Sequence, residues 1–108
     1  MRAKPRQKTC GELIGVEAYW LQHGQYWPEH HAANVARLSR EHREFPSAEI
    51  DRIYRQLCRV DDCLRDWGAA SEATEAGRAE MLGGFHREFP DLPEAVFDAA
   101  IYAIREGV

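Results

Sequence analysis

The chain is 108 residues long, with 44% hydrophobic and 30% charged residues and a net charge of −4. That is the size of one folding unit. No apolar run approaches the roughly 18 residues of a membrane span, and Cys10, Cys58 and Cys63 are too few and too odd in number for a disulfide framework. A membrane-spanning or disulfide-stapled class is therefore excluded, and the expectation is a reduced, cytoplasmic protein with no signal peptide.

Residues 1–8 read as a basic, disordered tail, with Arg2, Lys4, Arg6 and Lys8 and no acid. Residues 9–108 are the predicted single domain, where ten arginines face eighteen acids and the charge is near −8. Over residues 61–108 the imbalance sharpens to four arginines against eleven acids. A basic tail on an acidic body suits a charged macromolecular partner better than a small neutral substrate.

Alanine occurs fifteen times, Val, Ile and Thr together twelve times, and no useful segment alternates with period two, so the expected fold is all-α. Thr9-Cys10-Gly11-Glu12 has capping-box spacing and predicts a first helix from Cys10 to His23, stopping at Gly24. This helix is apolar around most of its girth (Leu13, Ile14, Val16, Ala18, Tyr19, Trp20, Leu21). It is expected either at the centre of the bundle or in a subunit interface, where it would make a homodimer. Glu17 projects among Leu13, Trp20 and Leu21, so it should be paired, protonated or facing a partner; in a central helix a paired cation or a nearby chain end is expected.

Pro28 opens the second helix, which ends before Phe45-Pro46, and Ser47 is the expected cap of a third running to Trp67. Ile50, Ile53, Tyr54, Leu57, Val60, Leu64 and Trp67 trace one stripe on it. Asp61 falls near that stripe and is expected at the rim of the core, answered by an arginine or a helix end, or else as a buried functional carboxylate. Ser71 is the expected cap of a fourth helix whose last turn Gly83-Gly84 weakens. Asp91-Leu92-Pro93-Glu94 should cap a fifth that ends at Gly107.

His42-Arg43-Glu44-Phe45-Pro46 recurs as His86-Arg87-Glu88-Phe89-Pro90. The repeat predicts a compact five-helix bundle in which helices 2–3 and 4–5 are two related hairpins, added to the N-terminal apolar helix. In that picture His42 and His86 meet only if the two corners meet, with Cys58 or Asp61 nearby. No CxxC, HExxH, ExxH or HxxxH spacing accompanies them, so no metal and no cofactor is expected. Nor is there a phosphate loop, a nucleophile elbow or a dinucleotide fingerprint, and no catalytic residue is assigned.

The functional expectation is a non-enzymatic protein–protein interaction module. It would be a small acidic helical regulator or inhibitor, by analogy with those that mobile elements encode. The residues expected to meet the partner protein are Trp20, Tyr26, Trp27, Glu17 and Asp61, since exposed aromatics carry binding energy. One alternative is nucleic-acid binding through the basic tail and Arg37, Arg40, Arg43, Arg52, Arg55 and Arg59, although interleaved acids leave that hairpin only weakly positive. A second alternative is a metal-binding helical protein or enzyme.

Overall fold

The computed structural model describes residues 8–25, 27–69 and 75–107. Five helices and no strand occur among them: α1 (Cys10–Gln22), α2 (Pro28–Glu41), α3 (Ser47–Asp66), α4 (Glu75–Glu88) and α5 (Glu94–Glu106). No helix among the described residues is long and apolar enough to cross a membrane. Residues 1–7 of the expected tail, Tyr26 and the expected cap Ser71 lie outside the described residues.

The helix ends follow local chemistry. The Thr9 hydroxyl accepts the Glu12 amide at 3.3 Å while the Glu12 carboxylate accepts the Thr9 amide at 3.4 Å, so the capping box closes in both directions. Gly24 and Gly107 take φ of +78° and +69°, a region that favours glycine, and they stand just beyond α1 and α5.

Two expected caps are otherwise employed. Pro46 is the N-cap residue of α3 and Pro93 that of α5, neither with a side-chain cap, because proline already supplies the extended backbone from which a helix starts. Ser47 is thereby the first helical residue, and the Asp91 carboxylate is drawn away to Arg52 at 2.6 Å and Gln56 at 3.2 Å. Nor do the two glycines end α4, which runs on to Glu88. Burial of Phe85 and Phe89 outweighs a penalty of about 1 kcal/mol per helical glycine.

The repeated pentapeptide forms two different corners. In its first copy α2 ends at Glu41, His42 is the C-cap and Pro46 opens α3, so the pentapeptide is the whole corner. In its second copy His86, Arg87 and Glu88 are helical, and α5 begins only at Glu94. Residues outside the repeat cause the difference. Leu92-Pro93 provides a later start for α5, and Phe89 sinks into the core against Phe85, at a centroid distance of 5.5 Å, whereas Phe45 stays half-buried. Although α2 packs on α3 and α4 on α5, a shared corner design is absent.

α1 is central, in contact with α2, α3 and α5. Cys10, Gly11, Ile14, Gly15, Ala18, Tyr19 and Gln22 form its buried side. Two of these are glycine for a steric reason. A Cβ on Gly11 would stand 1.9 Å from the Asp91 carbonyl oxygen, and one on Gly15 2.9 Å from Val96 Cγ2. The helix thus lies against the α4–α5 corner at a distance no side chain permits. α3 supplies the facing stripe, with Ile50, Ile53, Tyr54, Leu57, Val60 and Leu64 buried as expected. Trp67, at its end, is 41% exposed and flanks Gly84.

The Arg52 guanidinium, and after it Gln56, holds the Asp91 carboxyl below the usual carboxylate range; Arg55, and then His31, do the same for Asp51. A lowered folded-state pKa stabilises the fold above the unfolded value of about 3.9, and that contribution is lost as pH falls through the folded value. Both acids are largely solvated, so the effect is modest. Thermal unfolding followed between pH 6 and pH 2.5 is expected to show a falling midpoint, and Asp91→Asn is expected to flatten part of that slope.

Candidate protein-binding site

The buried side of α1 leaves a second apolar line without cover. Leu13, Val16 and Trp20 recur at steps of three and four, so they stand one above another on the outer face, and they are 44%, 37% and 41% exposed. By helical geometry Glu12 borders this ridge on one side and Glu17 on the other. These three half-exposed side chains form one contiguous line rather than scattered exposure.

The indole of Trp20 is supported from within. It meets the Tyr19 ring edge-on at 5.1 Å and the His23 ring at 5.6 Å. Tyr19 is itself fully buried, and its hydroxyl donates to Asp61 Oδ1 at 2.6 Å, while His23 Nδ1 lies 3.4 Å from the other Asp61 oxygen. Asp61 is accordingly at the rim of the core, but it is answered by a tyrosine and a histidine rather than by an arginine or a helix end. It thereby touches both of the residues whose rings support Trp20. Tyr19→Phe leaves Asp61 without its hydroxyl donor, and a chemical unfolding curve is expected to show a loss of about 1.5–3 kcal/mol.

Glu17 is paired, with a histidine rather than a permanent cation: its carboxylate lies 3.0 Å from His42 Nε2. His42 Nδ1 in turn lies 3.7 Å from Glu44. A carboxyl–carboxyl hydrogen bond from Glu17 and a guanidinium bond from Arg37 hold Glu41 below the usual range. The meeting of Glu17 with Glu41 and His42 was not legible in the sequence, since the contact joins α1 to the far end of α2. His86 has a separate setting, exposed on α4 with its ring against Phe85.

Trp27 is 68% exposed at the N-cap of α2, beside a shallow cleft that it lines with Gln25, Pro28, His31, Ala32 and Arg55. Trp20 and Trp27 thus lie outside the core. What ties that end of the bundle is Asn34, a residue the sequence pattern did not single out. Its amide donates to the Leu21 carbonyl at 3.2 Å, to Gln25 at 2.9 Å and to the Tyr54 hydroxyl at 2.9 Å, joining α1, the turn and α3.

The six arginines are all exposed, but four have carboxylate partners within the chain. Arg37 pairs with Glu41, Arg52 with Asp91, Arg55 with Asp51 and Arg59 with Glu88. Arg59 also lies over the Phe89 ring at 5.5 Å. The arginine face of α3 is therefore turned toward the chain's own acids. Burial raises all three thiols, together with Glu49 in the case of Cys10, which is pushed up to about 11, so none is poised as a thiolate. Compared with known proteins, the chain matches no family model, no curated protein and no solved structure.

Proposed function

We propose that this chain is a non-enzymatic protein-binding module, a small acidic regulator or inhibitor that docks through the Leu13–Val16–Trp20 ridge of α1. The observation that carries the reading is the double use of α1. One side is packed so tightly that it requires Gly11 and Gly15, while the other leaves three large apolar side chains in solvent. Trp20 is preorganised by Tyr19 and His23, so holding its rotamer in a complex costs little further entropy. The bordering carboxylates Glu12 and Glu17 favour a partner whose apolar groove is rimmed by Lys or Arg. Trp27 extends the aromatic surface beyond the turn. Asp61 acts through Tyr19 and His23 as a positioning residue.

The test is affinity capture of the tagged chain from its host's lysate, with and without nuclease. A stoichiometric protein that persists after nuclease and is lost with Trp20→Ala supports the module. Recovery that collapses on nuclease treatment, and that depends on Arg40 and Arg43, overturns it in favour of nucleic-acid binding.

A further inference from the structure

We propose that Glu17, Glu41 and His42 form a site for one divalent cation of the zinc class, clamping the middle of α1 to the C-terminal end of α2. One ligand atom from each of the three side chains lies within 4.8 Å of the others, two carboxylate oxygens and an imidazole nitrogen. The shortest edge, His42 Nε2 to Glu17 Oε1, is 3.0 Å. A zinc ion with ligands at about 2.0–2.2 Å needs edges of roughly 3.3–3.6 Å. The set therefore closes on an ion by small rotations, chiefly of the exposed Glu41. An imidazole with two carboxylates suits zinc better than calcium or magnesium, which prefer oxygen alone.

Three further features favour a cation at this point. The Glu17 and Glu41 carboxylates converge on this point, and a cation between them would offset the repulsion of two like charges. Glu41 is the last residue of α2 and His42 its C-cap, so the negative end of the helix dipole points at the site. His42 Nδ1 faces the Glu44 carboxylate at 3.7 Å. Without an ion, Nε2 is hydrogen-bonded to Glu17; ligation would place the imidazole proton on Nδ1, on the side of Glu44, where a carboxylate can orient a metal-bound histidine. Arg37 holds Glu41 at 3.0 Å from the outer side and limits the net negative charge. Three protein ligands leave a coordination position for water or for an outside donor.

This site shares Glu17 with the border of the docking ridge, but it does not rest on the protein-binding reading and its test needs no partner. Zinc chloride is titrated into the intact, reduced chain at pH 7.5 and followed by calorimetry, with the thermal midpoint measured in parallel. The expected result is one equivalent bound at micromolar affinity or tighter, with a rise in the midpoint. Glu41→Gln, at an exposed position that does not threaten the fold, and His42→Gln are each expected to weaken binding at least about tenfold. His86→Gln leaves it unchanged. Absence of a bound equivalent, or binding that survives both Glu41→Gln and His42→Gln, overturns the assignment.

Discussion

Gly11→Ala is expected to lower the thermal midpoint by roughly 10 °C or more. In an open helix the same change would help, since alanine is the better helix former by about 1 kcal/mol. Here the new Cβ would meet the Asp91 carbonyl oxygen at 1.9 Å and its carbon at 3.0 Å. Backbone does not rotate aside as a side chain can. The Asp91 segment is also held by Arg52 and Gln56 and by the Leu92 amide bond to the Phe89 carbonyl. Either α1 or the corner must move, and overpacking of that kind costs about 1–3 kcal/mol or more.

A graded series makes the cause visible. Gly15→Ala meets Val96 Cγ2 at 2.9 Å and Pro93 Cδ at 3.2 Å, side-chain atoms that can give a little, so a smaller loss is expected. Gly83→Ala meets only the flexible Arg87 guanidinium at 3.5 Å and is expected to stabilise α4 by up to about 1 kcal/mol. Thermal unfolding by circular dichroism is expected to rank the four proteins Gly11→Ala, Gly15→Ala, the unaltered chain and Gly83→Ala, in rising order. Equal midpoints for Gly11→Ala and Gly83→Ala would show that α1 does not lie against the corner at the described distance.

Substitution of the outer face of the same helix is expected to have the opposite signature. Trp20→Ala should weaken partner binding by about 30-fold or more, roughly 2 kcal/mol, as loss of an aromatic anchor does. Its cost to stability comes from the edge-on contacts with Tyr19 and His23, about 0.5–1.5 kcal/mol, together with the burial of the inner part of the indole. Leu13→Ser removes a ridge residue that has no part in that aromatic stack and should weaken binding with little change in midpoint. Binding isotherms for both variants, set beside their melting curves, separate a docking surface from a structural one. Loss of binding only in proportion to loss of fold would contradict the assignment of the ridge.

The sequence and the structure agree where the governing interaction is local. The Thr9–Glu12 capping box, the stops at Gly24 and Gly107 and the six-residue buried stripe of α3 all depend on residues within a turn or two of each other. The identity of the two His-Arg-Glu-Phe-Pro segments suggests equal corners because their local chemistry is equal. Their fates diverge because Leu92-Pro93 stands after one copy, while Ser47 begins a helix at once after the other. Glu17 was legible as a residue in need of a basic partner, but His42 as that partner was not, since twenty-five positions and a helix turn separate them. Gly11 and Gly15 did carry a signal, two small residues one helical turn apart on one face, which marks a close approach by another backbone. The apolar residues around them obscure it, pointing to what α1 buries rather than to how near it lies.

The most direct test of the central claim, that α1 serves the core with one face and a partner with the other, is covalent footprinting of the captured complex. Side chains are labelled in the free chain and again in the nuclease-treated complex, and each peptide is compared by mass spectrometry. The account predicts protection of Leu13, Val16 and Trp20, with the exposed Tyr102 of α5 labelled equally in both states. Protection confined to α4 and α5, with Trp20 labelled as strongly in the complex as in the free chain, would place the partner on the acidic half and contradict it.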